Sequence, residues 1–174
     1  MYANLWVGVL ETGEPMTTDK SELDRPRTLV LPPAPYALAL LASWWLERKG
    51  HALSFDPGPA ALPLAGLLVG AGLALFLWTL YTFWRHHTTV NPYKAAAELC
   101  TSGPFAFSRN PIYLGDWFVY LGLMVWIETF WPLVFAPLVW LIVRYGVIRH
   151  EEAHLEAKFG EPYRAYRASV RRWL

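Results

Sequence analysis

Four apolar stretches divide the chain, separated by polar segments of very different length. The first, LVLPPAPYALALLASWWLE, covers residues 29–47. The second, AALPLAGLLVGAGLALFLWTLYTFW, covers 60–84 and contains no charged side chain. The third, IYLGDWFVYLGLMVWIE (112–128), carries one internal charge, Asp116. The fourth, FWPLVFAPLVWLIV (130–143), runs on through RYGVI. A helix needs about 20 mostly apolar residues to cross the hydrocarbon of a bilayer. The second stretch meets that length outright and the others approach it. Glu128 and Thr129 alone separate the third stretch from the fourth, which predicts a tight helical hairpin. Pro32, Pro33 and Pro35 crowd the start of the first, where a first helical turn still accepts proline. The pattern predicts one all-α integral membrane domain over 1–174, with about four transmembrane helices. Its parts are an N-terminal segment (1–28), two spans (29–84), a loop (85–111), a helical hairpin (112–148) and a tail (149–174).

Composition and charge add an orientation. Hydrophobic residues make up 55 % and charged residues 17 %, below the usual quarter, as a bilayer protein requires. Twelve of the fifteen Lys and Arg fall in 1–28, 85–110 and 149–174, which four spans place on one side. Arg48 and Lys49 alone fall on the other, and Arg144 lies at the end of the fourth stretch. The positive-inside rule then puts both termini and the long loop in the cytoplasm. Trp44, Trp45, Trp78, Trp84, Trp126 and Trp131 fall near stretch ends, where aromatic belts sit. A net charge of +1 gives no reason to expect a nucleic-acid partner. One cysteine, Cys100, rules out an internal disulfide and a thiolate zinc site. The opening MYANLWVGVLETGEPM has neither a basic n-region nor a long apolar h-region, so no signal peptide is expected there.

The two long cytoplasmic segments are where chemistry is expected. RHHTTVNPYKAAAELCTSGPFAFSRNPIYLGD (85–116) is rich in Pro, Gly and aromatic residues, which predicts an ordered, enclosing loop. Ser102-Gly103-Pro104 reads as a turn. Asn110 precedes Pro111 and is biased away from the helical region, so the next helix is expected to start near Pro111. Its free N–H groups and positive dipole end would favour a carboxylate or phosphate. The tail is expected to extend helix four, break near Gly160 and Pro162, and finish as a basic helix. Tyr163, Tyr166 and Val170 fall on one face of that helix, which suits a membrane-interface amphipathic helix. Arg144 and Asp116 are ionisable at membrane depth, a functional signal or an interhelical ion pair.

His150-Glu151-Glu152-Ala153-His154 spells H-E-x-x-H, which on a helix puts two zinc ligands on one face. The 20 residues after His154 supply no third histidine, and Glu156 is too close along the helix to cap the same metal. His86 and His87 could reach from the other segment, but nothing in the spacing asks for it. The paired carboxylates are the stronger feature.

TSGPFAFSRNPIYLG (101–115) and EEAHLEAKFGEPYRAY (151–166) together resemble the isoprenylcysteine carboxyl methyltransferases and their relatives, the phospholipid N-methyltransferases. The likeness covers about residues 85–174. It implies an integral membrane enzyme that uses S-adenosyl-L-methionine without a Rossmann domain, enclosed between loop and tail on the cytoplasmic side. Position by position, it implies that Leu99, Cys100, Thr101, Ser102, Gly103 and Phe105 line the adenosine pocket. Arg109, Asn110, Pro111 and Tyr113 would complete it, with Gly115 allowing close approach. Glu151 and Glu152 would meet the cofactor's ammonium. Arg144 or Arg149 would lie towards the acceptor, with Tyr113 also placed among the catalytic residues. Asn110 stands where the carboxyl methyltransferases usually have His, and the N-P-x-Y-x-G form occurs in the phospholipid branch. The resemblance therefore implies a lipophilic or lipid-like acceptor and leaves carboxylate or amine open. A zinc protease, a non-catalytic lipid-binding protein and a reductase of the sterol-reductase type are the alternatives. Oligomeric state is open; Gly66, Gly70 and Gly72 permit close helix packing.

Overall fold

The computed structural model describes residues 30–86 and 98–174. The N-terminal segment and the middle of the long loop, including His87 and Lys94, lie outside them. Helix α1 spans Ala34–Arg48. A short 3-10 turn, Gly58–Ala60, leads into α2, Ala61–Arg85. A second 3-10 turn covers Gly103–Ala106, and α3 covers Pro111–Trp126. Helix α4, Trp131–Val143, passes through a π-helical stretch, Arg144–Ile148, into α5, Arg149–Phe159. Helix α6, Glu161–Ser169, folds back after Gly160. Pro111 sits in the first turn of α3, where its missing N–H costs nothing, as its sequence predicts.

Among the described residues, two helices are long and apolar enough to cross a membrane: Gly58–Arg85 with 28 residues and Trp131–Phe159 with 29. Helices α1 and α3 have 15 and 16 residues. At 1.5 Å per residue they reach about 22–24 Å, short of the roughly 30 Å hydrocarbon core. The expectation of four crossings is thus met by length in two helices. The outer faces of the helices carry exposed Leu38, Leu41, Leu67, Leu77, Leu138 and Leu141, an apolar surface that suits lipid.

Helices α2 and α3 run antiparallel along a glycine seam. A Cβ on Gly72 would stand 2.6 Å from the Gly115 carbonyl oxygen and 2.8 Å from Val119 Cγ2. On Gly122 it would stand 2.8 Å from Val69 Cγ2 and 3.0 Å from the Ala65 carbonyl oxygen. The backbones approach so closely that only hydrogen fits between them, the usual way helices associate where lipid removes the hydrophobic drive. Gly66 and Gly70 face open space. Ser43, Thr79 and Thr82 turn their hydroxyls back to carbonyls one turn earlier, at 2.6, 2.8 and 2.9 Å, which satisfies them without water.

Helix α1 joins through aromatic edges. Tyr36 meets Trp117 and Tyr120 edge-on, with centroids 5.3 and 5.8 Å apart. These rings and Tyr113 continue into Val139, Val143, Val147 and Ile148, forming the main core. At one end, the α1–α2 connection closes against the α3–α4 turn. Thr129 donates to Glu47 Oε2 (2.6 Å), Phe55 N to the Glu128 carbonyl (3.0 Å) and Trp131 Nε1 to the His51 carbonyl (2.6 Å). The other end carries loop residues 98–110, α5 and α6. The π stretch adds a residue to its turn, which rotates the following helix by about 100° relative to an unbroken α-helix.

The seam makes a prediction. Gly72→Ala should lower stability by about 1–3 kcal/mol through overpacking. Gly66→Ala and Gly70→Ala should be neutral or stabilising by up to about 1 kcal/mol through helix propensity. Thermal unfolding in detergent measures all three, and equal effects at the three positions would refute the seam.

Candidate functional site

The site is built where the loop and the tail meet. Gly160 makes the meeting possible: its φ of 57° and ψ of −123° form a reversal that a side chain resists. Helix α6 therefore turns back against the loop. Tyr163 and Tyr166, three residues apart on one face, are buried with Cys100 and Phe105, and Phe83, Leu99, Leu155, Phe159 and Val170 pack around them. Tyr166 Oη donates to the Phe105 carbonyl at 2.8 Å. The face expected to lie on the membrane interface is thus filled by the protein itself. Val170 leaves the helix in extended conformation, while Arg164, Arg167 and Arg171 point outward. Arg164 pairs with Glu161 and Arg167 with Glu156, exposed pairs worth little to stability.

Burial shapes the chemistry of this cluster. It pushes the Cys100 thiol up to about 11, helped by the Glu98 charge. It also raises the hydroxyls of Tyr163 and Tyr166, Tyr163 with further help from the Glu152 carboxylate. All three groups are neutral at physiological pH.

The polar part of the site lies beside this cluster. Glu152 is held by two arginines from different parts of the chain. Arg172 approaches it side-on, Nε to Oε1 at 3.0 Å and Nη2 to Oε2 at 2.6 Å. Arg109 Nη1 stands 3.2 Å from Oε1. The side chains of Glu152 and Arg109 are only 13 % and 10 % exposed, so water screens the pair weakly. The bonds to Glu152 hold the Arg172 guanidinium above its ordinary value, so it stays charged. Next along α5, Glu151 accepts from Tyr113 Oη at 2.7 Å. Asn110 Nδ2 and Ser108 Oγ donate to the Arg172 carbonyl at 3.0 and 3.3 Å, and Arg109 N to the Arg171 carbonyl at 3.0 Å.

The structure therefore brings Arg109, Asn110, Tyr113, Glu151 and Glu152 together from segments about forty residues apart. The structure gives the other expected residues the following places. Arg144 lays its guanidinium over Trp140 at 4.8 Å, and Arg149 is exposed. Gly115 gives its close approach to Gly72 of α2. Gly103, at φ +61°, seats the loop on Thr82, and Pro111 starts α3. Leu99, Cys100 and Phe105 form the apolar wall described above. Thr101 and Ser102 are exposed; Ser102 Oγ lies 2.9 Å from His86 Nε2, and His86 Nδ1 lies 3.4 Å from Glu98.

Ser108 and Arg172 are site residues that sequence reasoning missed. Arg172 looked like one of several tail arginines, and only the fold separates it from Arg171.

The buried atoms Arg109 Nε and His150 Nδ1 have no hydrogen-bond partner among the described residues. A guanidinium edge and a carboxylate–phenol pair side by side fit the two ends of an amino-acid group, carboxylate and ammonium. Among the described residues no group of three or more His, Cys, Asp or Glu is placed to hold a metal ion.

Cys100 reports on the loop–tail contact. At pH 8 an alkylating reagent should modify it at least about a hundredfold more slowly than a free thiol, because the thiolate is scarce and covered. Tyr166→Ala should restore much of the lost rate; equal rates in the two proteins would show that α6 does not cover the loop.

Comparison with known proteins follows the same region. The family described as phospholipid methyltransferase matches residues 61–162. A Haemophilus influenzae (strain Rd) protein described as uncharacterized is 35 % identical over 63 residues, covering 36 % of this chain and 79 % of that protein. No solved structure matches. The matched region runs from the start of α2 to the first turn of α6 and takes in Arg109, Asn110, Tyr113, Glu151 and Glu152: the chain belongs to the phospholipid methyltransferase family.

Proposed function

We propose that the chain transfers a methyl group from S-adenosyl-L-methionine to a lipid-like acceptor, a carboxylate or an amine, at the cytoplasmic face of a membrane. The observation that carries this reading is the meeting of Arg109, Asn110 and Tyr113 with Glu151 and Glu152 at the end of a membrane-length helix. When bound, the cofactor supplies a methyl group made electrophilic by its sulfonium.

The chain's own residues have separable tasks. Glu151, fixed by the Tyr113 hydroxyl so that it cannot rotate freely, and its neighbour Glu152 hold the cation between them. Arg109 offers Nε to a carboxylate. Cys100, Phe105, Tyr163 and Tyr166 form an apolar wall that keeps water from one side. Methyl transfer needs little beyond in-line placement and dryness, so positioning supplies much of the rate. A carboxylate acceptor needs no base. An amine acceptor must first lose a proton, and a Glu or His at the mouth could take it; His150, whose buried Nδ1 has no hydrogen-bond partner among the described residues, is one candidate. On the four-span reading of the sequence, twelve basic residues share one side, and the positive-inside rule makes that side cytoplasmic. A lipid tail reaches such a site sideways, from the bilayer around the apolar helices.

Calorimetry with protein in lipid nanodiscs tests the reading. S-adenosyl-L-methionine and its demethylated product should both bind, and Glu151→Gln should weaken binding at least about tenfold, about 1.4 kcal/mol. Folded protein that binds neither molecule would overturn the proposal.

A further inference from the structure

Both oxygens of Glu152 are occupied. Arg172 takes Oε1 and Oε2 together, and Arg109 stands beside Oε1. While Arg172 stays there, it spans both oxygens, and another cation would have to share the carboxylate with it. The backbone of the same segment is tied to the loop: Asn110 and Ser108 donate to the Arg172 carbonyl and Arg109 N donates to the Arg171 carbonyl. Trp173 packs beside the core that contains Tyr113, whose hydroxyl meets Glu151. Residues 171–173 therefore form a strap tied to Glu152 and to the loop.

We propose that this strap is a latch: Arg172 is an internal cation that holds Glu152 until the ammonium of an amino-acid ligand replaces it, and its departure opens the site. The ligand class rests on the S-adenosyl-L-methionine reading above. An exchange is the inexpensive way to open such a site. Removing Arg172 with nothing in its place would leave a poorly solvated carboxylate with Arg109 alone, whereas replacing one cation by another keeps the local charge balanced. The strap is also the piece best able to move. Helix α6 ends at Ser169, Val170 is extended, and the strap's order comes from its contacts with the loop and Glu152. A segment held this way opens locally without unfolding the helices. A site that is competent only when unlatched binds its ligand more weakly, by the fraction of time it is open.

A nitroxide on Leu174→Cys, an exposed position just beyond the strap, reads the latch directly. In full-length protein in nanodiscs the label should be immobilised without ligand. It should become mobile in Glu152→Gln and on saturation with S-adenosyl-L-methionine. Calorimetry should show Arg172→Gln binding S-adenosyl-L-methionine several-fold more tightly than the unsubstituted protein. Circular dichroism confirms that each variant keeps its helices. A label that stays immobile in folded Glu152→Gln overturns the latch, as does weaker binding by Arg172→Gln. If Glu152→Gln frees the label but S-adenosyl-L-methionine binds neither the unsubstituted protein nor Arg172→Gln, the latch stands and the cofactor reading falls.

Discussion

A carboxylate withdrawn from water needs cations, and Glu152 draws its two from opposite sides of the site. Arg109 comes from the loop before α3, and Arg172 comes from beyond α6. Loop and tail are separated by the whole α3–α4 hairpin, so nothing local holds them together. The carboxylate and the hydrogen bonds from Ser108, Asn110 and Arg109 to the strap make the polar half of their junction, and the Tyr163–Tyr166 face on Cys100 and Phe105 makes the apolar half. Because the group is little exposed, losing one partner costs far more than breaking a surface ion pair, about 3–5 kcal/mol.

The helices below place the closure. The glycine seam fixes the register of α2 against α3, so Thr82 of α2 supports Gly103 of the loop and Pro111 begins α3 beside it. The π stretch sets which face of α5 turns to the loop. The α3–α4 turn pairs with the α1–α2 connection at the far end, which keeps the hairpin from splaying. Polar groups within the helices bond to their own backbone, leaving the outer surface apolar for lipid.

Much of this was legible in the residues. The bounds of α2, the start of α3 at Pro111, the tight turn at Glu128-Thr129 and the break at Gly160 follow from apolar length and from proline and glycine chemistry. The contact between the 101–115 and 151–166 blocks followed from resemblance. What remained hidden depends on tertiary geometry. The tyrosine face of α6 has the periodicity of an interfacial helix, and periodicity cannot say whether lipid or protein covers it. Gly66, Gly70 and Gly72 look alike in sequence, yet only Gly72 meets another backbone. Arg144 carried the signal of a charge at membrane depth, but its guanidinium lies over Trp140. Arg171 and Arg172 are adjacent and chemically identical, and the extended backbone after α6 sends their side chains different ways.

The central claim is that the Glu152 carboxylate energetically couples the loop to the tail. A double-mutant cycle on unfolding free energy, with Arg109→Met, Glu152→Gln and the double variant, measures it. The account predicts non-additivity of about 1–3 kcal/mol, the double variant being more stable than the sum of the single effects implies. Additivity within about 0.5 kcal/mol would contradict it.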